Sequence, residues 1–235
     1  MTTMRFYDPH TCSRIEMEGA LVALSQGLVP SVTTILSIIR SPHLEEWLIR
    51  RALDYYRRTG DYEGALEYED TRAADFGTVC HALLESYLTG TPCQEPHDRR
   101  HRQALQPLLA WIDRNATEVL FCEACFADVE LGYGGTADLL LRLKTGRPLL
   151  CDLKTKKHSQ RFPMQPDISY KYQLSAYRRY FQKVYGEMHI ANLLLASPFG
   201  YDATPRLIVC DYGAEDWTTG FTPAHRLWLE QVYDQ

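Results

Sequence analysis

Residues 135–155 read Gly135-Thr136-Ala137-Asp138-Leu139-Leu140-Leu141-Arg142-Leu143, then Lys144-Thr145-Gly146-Arg147, then Pro148-Leu149-Leu150-Cys151-Asp152-Leu153-Lys154-Thr155. Two short apolar runs on either side of a polar turn with a glycine are the pattern of an antiparallel hairpin. Because residues i and i+2 of a strand project the same way, Asp152 and Lys154 share a face. Asp138, expected at the start of the neighbouring strand, is brought beside them by the turn. Asp152 closes the apolar run Leu149-Leu150-Cys151, where a charge is costly unless it has a partner or an ion. Two carboxylates and an ammonium thus converge, a set suited to phosphodiester hydrolysis. The acids can hold a hard divalent cation such as Mg²⁺, and the lysine, its pKa lowered by partial burial, can orient water or stabilise charge on the phosphate. The carbonyl of Leu153, between the two side chains, is a further candidate ligand.

Outward from the hairpin, Val119 to Glu130 reads as a preceding strand, so that Val119–Glu130, Thr136–Leu143 and Leu149–Leu153 form a three-stranded antiparallel meander, with Gly132-Tyr133-Gly134-Gly135 as the first turn. A long helix from Ile168 to Tyr185 follows, then strands at His189–Ala196 and Arg206–Asp211 and a helix from Pro223 to Val232. The N-terminal half reads as helical: Val32–Ile39, stopped by Ser41-Pro42; His43–Arg58; a loop punctuated by Gly60 and Gly64; Thr71–Leu88, ending at Gly90; and Asp98–Asn115. The expected organisation is one domain over residues 1–235, mainly helical through 115 and sheet-containing from 116.

Two further constellations lie on helices. In Gly77-Thr78-Val79-Cys80-His81-Ala82-Leu83-Leu84-Glu85, the i, i+4 spacing puts His81 and Glu85 on one face. Alone, a histidine beside the core stripe Ala82-Leu83-Leu84 reads as structural; with the downstream acids it becomes a candidate metal ligand, and imidazole among carboxylates widens tolerance for Mn²⁺. In Tyr170-Lys171-Tyr172-Gln173-Leu174-Ser175-Ala176-Tyr177, Gln173 and Tyr177 share a face and offer an amide and a phenol to phosphate or base.

Bulk properties bound these readings. The 235 residues are 45% hydrophobic and 23% charged, ordinary globular usage, with a net charge of −5 that does not by itself advertise a polyanionic partner. Basic residues nevertheless cluster at Arg50-Arg51, Arg57-Arg58, Arg99-Arg100 with Arg102, Lys154 with Lys156-Lys157, and Arg178-Arg179. No apolar run is of bilayer-spanning length and no signal peptide is evident, so no membrane partner and a cytoplasmic location are expected. Seven scattered cysteines fit reduced thiols, and Cys122-Glu123-Ala124-Cys125, inside a strand without a second pair, does not make a zinc site. A Gly-rich phosphate loop, a nucleophile elbow and an H-E-x-x-H helix are absent.

Taken in series, Gly77, His81 and Glu85, then Gly135 and Asp138, then Asp152, Lys154 and Thr155, then Gln173 and Tyr177 resemble the RecB-like branch of the PD-(D/E)XK nucleases. The resemblance covers about Gly77 to Tyr177, and Pro30-Ser31-Val32-Thr33-Thr34-Ile35-Leu36 followed by Trp47 extends it toward phage-type and mitochondrial genome maintenance exonucleases. It implies an α/β fold with a restriction-endonuclease-like core, a mixed central sheet flanked by helices. It also implies a bacterial or phage-infected setting and a DNA exonuclease with a Mg²⁺ or Mn²⁺ site, acting on single-stranded DNA or free ends. By motif match His81, Asp138, Asp152 and the Leu153 carbonyl are metal ligands and Lys154 is the catalytic base or water-orienting group. Gln173, Tyr177, Glu85 and Thr155 support the site, and Glu123 on the first strand of the meander also faces the metal. The family's nominal proline is replaced by Ala137. With only Cys210 near the C-terminus, the iron–sulfur cluster of some relatives is not expected. The alternatives are a flap or branch endonuclease with the same chemistry and a non-cleaving DNA-binding subunit that keeps the fold.

Overall fold

The computed structural model, which describes residues 3–39, 42–67, 72–157, 166–197 and 205–234, puts this hairpin at the centre of a five-stranded mixed sheet. In chain order the elements are β1 (Met4–Tyr7), β2 (Arg14–Met17), α1 (Ala20–Ser25), β3 (Val29–Pro30), α2 (Val32–Leu36), α3 (Pro42–Thr59), α4 (Tyr62–Glu67), α5 (Arg72–Thr89) and α6 (Arg99–Asn115). They continue as β4 (Ala116–Asp128), β5 (Tyr133–Leu143), β6 (Pro148–Lys157), α7 (Ile168–Tyr185), β7 (His189–Ser197), β8 (Arg206–Asp211) and α8 (Thr218–Tyr233). The large sheet runs β4-β5-β6-β7-β8, antiparallel except for β6 and β7, which are parallel and joined by the crossover helix α7.

Each face of this sheet buries its own apolar cluster. On one, Leu139, Leu141, Leu149, Cys151, Leu153, Leu193 and Leu195 meet Cys80 and Leu84 of α5 and Leu105, Leu108 and Ile112 of α6. On the other, Phe126, Ala137, Leu140, Leu150 and Ile190 meet α2, α7 and α8 through Ile35, Leu174, Tyr177, Phe181, Phe221 and Trp228. The helical half therefore supplies one wall of the sheet. Local chemistry starts these helices: Ser31 accepts from the Thr34 amide, Asp98 forms a capping box with His101, and Asp167 accepts from the Ser169 amide. Among the described residues no helix is long and apolar enough to cross a membrane.

Element bounds shift by a few residues, with α2 ending at Leu36 rather than Ile39, β4 beginning at Ala116 and β6 running on to Lys157, and the structure departs from the sequence reading in four further places. The N-terminal half also holds a small sheet, β2-β1-β3, whose strands of two to four residues are too brief for periodicity to register. It is tied to the large sheet by Tyr7, whose hydroxyl lies 2.9 Å from the Thr136 hydroxyl. Part of the loop expected around Gly64 is the short helix α4. β5 begins at Tyr133, so Gly134 and Gly135 are strand residues and Asp138 lies mid-strand; both glycines mark close approaches, of the Phe126 carbonyl and of the Tyr177 ring. The last helix begins at Thr218 and carries Pro223 inside it, where proline suggested a helix start. The proposed helix start at Thr71 and the side chains of Trp47 and Lys157 lie outside the described residues.

Candidate metal centre

The antiparallel ladder between β5 and β6 runs from Arg142↔Pro148 to Leu139↔Cys151, where the pairing ends, while β6 continues beside β7 to Lys157↔Ser197. The next opposed pair would have been Asp138 and Asp152. Instead the strands part, and side chains take over the backbone groups of Leu153. Its N–H donates to Asp138 Oδ2 at 2.6 Å, and its carbonyl accepts from His81 Nε2 at 3.1 Å. The site occupies that opening.

The partner strand is bent to match. Glu123 has φ +52°, a left-handed conformation rare for a residue with a side chain and worth roughly 1–3 kcal/mol of strain. Regular alternation would put Cys122, Ala124 and Phe126 on one face, yet Cys122 packs toward α5 and α6 while Ala124 and Phe126 pack on the opposite cluster. Ala137 and Leu139 of β5 divide in the same way. Both strands change face at Glu123 and Asp138, which turns these two carboxyl groups toward His81.

The result is a compact triad. His81 Nδ1 is 2.9 Å from Glu123 Oε1 and 3.8 Å from Asp138 Oδ2. The ligand-type atoms of His81, Glu123 and Asp138 all lie within 4.8 Å of one another, near the Leu153 carbonyl. Both ring nitrogens of His81 face groups that only accept, so in this arrangement both carry protons. Burial favours the neutral ring, but Asp138 and the hydrogen-bonded Glu123 outweigh it and raise the pKa to about 9.

Asp152 lies beside the triad and is engaged on both oxygens. Lys154 Nζ donates to Oδ1 at 2.5 Å and Asn192 Nδ2 to Oδ2 at 2.8 Å, and the Tyr212 hydroxyl in turn donates to Asn192 Oδ1 at 2.8 Å. Burial pushes Asp138 upward and Asp152 up to about 6. Lys154 reverses the expected lowering. Burial pulls it down, but Asp152 and Asp138 hold it above its ordinary value, so it is an ammonium here. Its Nζ also lies 5.1 Å from the centroid of Tyr170, with Lys156 Nζ at 5.2 Å from the same ring.

The other expected site residues act at one remove. Gln173 Nε2 donates to the Tyr177 hydroxyl at 3.1 Å, and both side chains are buried. Tyr177 approaches β5 so closely that a Cβ at Gly135 would come within 2.7 Å of its ring, which is why that position carries glycine. A Cβ at Gly77 would lie 3.1 Å from Thr155 Oγ1, so the Gly77–Thr155 pair sets how closely α5, with His81, approaches β6. Glu85 is exposed on α5 one turn past His81, and its charge contributes to raising the Cys122 thiol, which burial chiefly pushes up to about 12. Asn192, Tyr212 and Tyr170 were not singled out from sequence. Asn192 had a readable signal, a polar residue inside the apolar run Ala191-Asn192-Leu193-Leu194-Leu195, the same signal that marked Asp152.

The donor set fits a hard divalent cation: carboxylate oxygens, one carbonyl and one imidazole. Charge points the same way. The carboxyl groups of Glu123 and Asp138 converge on His81, and Asp152 adjoins them with Lys154 on its Oδ1, so carboxyl groups outnumber the ammonium at the site.

No family model matches this chain, and no curated protein matches it. Among solved structures it is similar to one described as the crystal structure of SSO0001, at 14% sequence identity and a TM-score of 0.30 over 82% of this chain and 87% of that one.

Proposed function

We propose that this protein is a metal-dependent DNA nuclease of the PD-(D/E)XK class, RecB-like branch, working as an exonuclease on single-stranded ends. The observation that supports the reading best is the grouping of His81, Glu123, Asp138 and the Leu153 carbonyl beside the Asp152–Lys154 pair, at a point where two strands separate. His81, Glu123, Asp138 and the Leu153 carbonyl would hold a Mg²⁺ or Mn²⁺ ion, with Asp152 adjoining. Such an ion neutralises charge developing on a phosphate and acidifies water. Lys154, held by Asp152 and kept charged, presents an ammonium that orients water and stabilises negative charge at the phosphate. Asn192 and Tyr212 fix the Asp152 carboxylate, so that Lys154 keeps one position. Gln173 and Tyr177 pack beneath β5 and hold the strand that carries Asp138.

The basic clusters give uneven support. Arg50, Arg57 and Arg100 pair with Glu46, Asp54 and Asp98 of their own helices or caps, as solvated faces do. Lys154 and Lys156 converge over Tyr170 beside the site and are better placed to meet a strand.

End-labelled linear and circular single-stranded DNA of one sequence, incubated with Mg²⁺, Mn²⁺ or EDTA, test the proposal. The linear strand should be shortened progressively with either metal and not in EDTA, the circle should survive, and Asp152→Ala should abolish cleavage while retaining DNA binding. Cutting of the circle at a comparable rate would replace the exonuclease with an endonuclease. Binding without cleavage of either substrate would leave only a DNA-binding subunit.

A further inference from the structure

β6 continues past the point where β5 leaves it, and Asp152, Lys154 and Lys156 share the sheet face that α7 covers. Across β7 the register runs Lys156↔Ala196↔Arg206. Leu207 and Val209 pack on the opposite cluster, so Arg206 belongs to this same face, where it is exposed. Cys210, the register partner of Asn192, lies near both Lys156 and Lys171: burial raises its thiol, and the two ammoniums act against that rise. One face beside the metal centre thus gathers Lys154, Lys156, Lys171 and Arg206. Carboxylates there are fewer. Asp167 acts on Lys156 from the cap of α7, whereas Asp211 alternates onto the other face of β8 and lies 3.9 Å from His189.

What distinguishes the lysines of this face is how they are held. Lys154 Nζ and Lys156 Nζ lie 5.1 and 5.2 Å from the centroid of the Tyr170 ring, and Lys171 Nζ lies 4.8 Å from that of Tyr212 and 4.3 Å from that of Trp217. Among the described residues Lys171 makes no ion pair. A carboxylate partner, such as Glu46 for Arg50, positions a cation and cancels its charge, whereas an aromatic face positions it and leaves the charge in place. An ammonium held in this way has less side-chain freedom to lose when an anion arrives. Tyr212 also ties Lys171 to the site, because its hydroxyl donates to Asn192, which donates to Asp152. Lys171 is therefore one aromatic ring away from the hydrogen bonds that fix Asp152.

We propose that this face is the track along which a single DNA strand runs from the metal centre, with Lys156, Lys171 and Arg206 meeting its phosphates and Lys154 meeting the phosphate to be cut. The identity of the strand rests on the nuclease reading. Separate cations in succession, starting at a site built for a divalent ion, fit a chain of regularly repeating phosphates. Contacts of this kind carry no sequence information, so binding along the track is independent of sequence.

The test is fluorescence anisotropy of a dye-labelled thymidine decamer with the full chain, in EDTA so that the strand stays intact. The unmodified protein should bind with an affinity that falls with salt. Lys171→Gln should weaken binding about three- to tenfold and lower the slope of log affinity against log salt by about 0.7, the share of one phosphate contact on a single strand. Lys171→Arg should keep most of the affinity, and a deoxyadenosine decamer should respond to Lys171→Gln in the same proportion. Arg50→Gln, which removes a charge already paired with Glu46, should bind within about twofold of the unmodified protein. With Mg²⁺, Lys171→Gln should raise KM and keep kcat. Undiminished binding by Lys171→Gln, or an equal loss in Arg50→Gln, overturns the track. Should Lys171→Gln fail to fold, Arg206→Gln must show the weaker binding and the shallower slope, and full affinity in that variant overturns the proposal in the same way. The nuclease reading fails separately: a strand bound through Lys171 and left whole in Mg²⁺ and Mn²⁺ refutes cleavage and keeps the track, whereas cleavage with unchanged KM in Lys171→Gln keeps the nuclease and refutes the track. Absence of DNA binding by the unmodified protein refutes both.

Discussion

Between about pH 7 and pH 8.5 the affinity of this protein for Mg²⁺ should rise about tenfold per pH unit, because the cation must displace one proton from His81. Both ring nitrogens donate, to the Glu123 carboxylate at 2.9 Å and the Leu153 carbonyl at 3.1 Å, and the ring has a pKa of about 9. An imidazole can ligate only after losing a proton. At pH 7 that loss costs on the order of 3 kcal/mol, at about 1.4 kcal/mol per pH unit below the pKa. Asp152, raised by burial only to about 6, is already ionised through this window. Calorimetry in two buffers of different protonation enthalpy would count the released protons directly, with about one per Mg²⁺ expected at pH 7. His81→Gln should bind with little pH dependence over the same range. Flat affinity with no proton release in the unmodified protein would refute the assignment of His81 as a ligand and leave it a structural ion-pair partner.

The same group makes the metal-free fold sensitive to alkali. The folded pKa of His81 lies above its ordinary 6.5, so its stabilising contribution is complete below about pH 6.5 and is lost as pH rises through about 9. Urea unfolding in EDTA should show a loss of up to roughly 3 kcal/mol across that window, largely absent in His81→Gln. Asn192→Ala should lower stability by about 1.5–3 kcal/mol, since it removes a hydrogen bond to a buried carboxylate, and should move the acidic limb of the pH–rate profile upward as Asp152 loses support; an unmoved limb would mean that Asn192 does not position Asp152. Gly135→Ala should cost about 1–3 kcal/mol by denaturant midpoint, because the new methyl meets the Tyr177 ring at 2.7 Å in a fully packed layer. Wild-type stability there would show that Tyr177 is free to move.

Most of the large sheet and its helices was legible locally. The apolar runs around Lys144-Thr145-Gly146-Arg147 determined a hairpin, and α7 coincides with the helix read at Ile168–Tyr185. Spacing alone put Asp152 and Lys154 on one strand face, and structure adds that they are bonded. The i, i+4 pair Gln173 and Tyr177 is likewise hydrogen-bonded, whereas Glu85, on the same periodicity as His81, stays in solvent. Periodicity fixes which residues share a face but not what that face meets.

Sequence by itself therefore determined the element types of the large sheet and its helices, the pairing of β5 with β6 and the residue kinds at the site, because these follow from side-chain period and turn chemistry within a few residues. Tertiary structure alone decided the rest. Glu123 faces His81 only because β4 takes a left-handed turn there, against the preference of its own backbone. Asp138 reaches the Leu153 amide only because β5 and β6 separate after Leu139↔Cys151. Asn192 supports Asp152 only because α7 brings β7 alongside β6 in parallel register. The charge of His81 and Lys154 is set by carboxyl groups brought beside them through the fold, Lys154 by Asp138 as well as its strand neighbour Asp152. These are energies of contact between segments far apart in the chain, and they exist only once the sheet has assembled them.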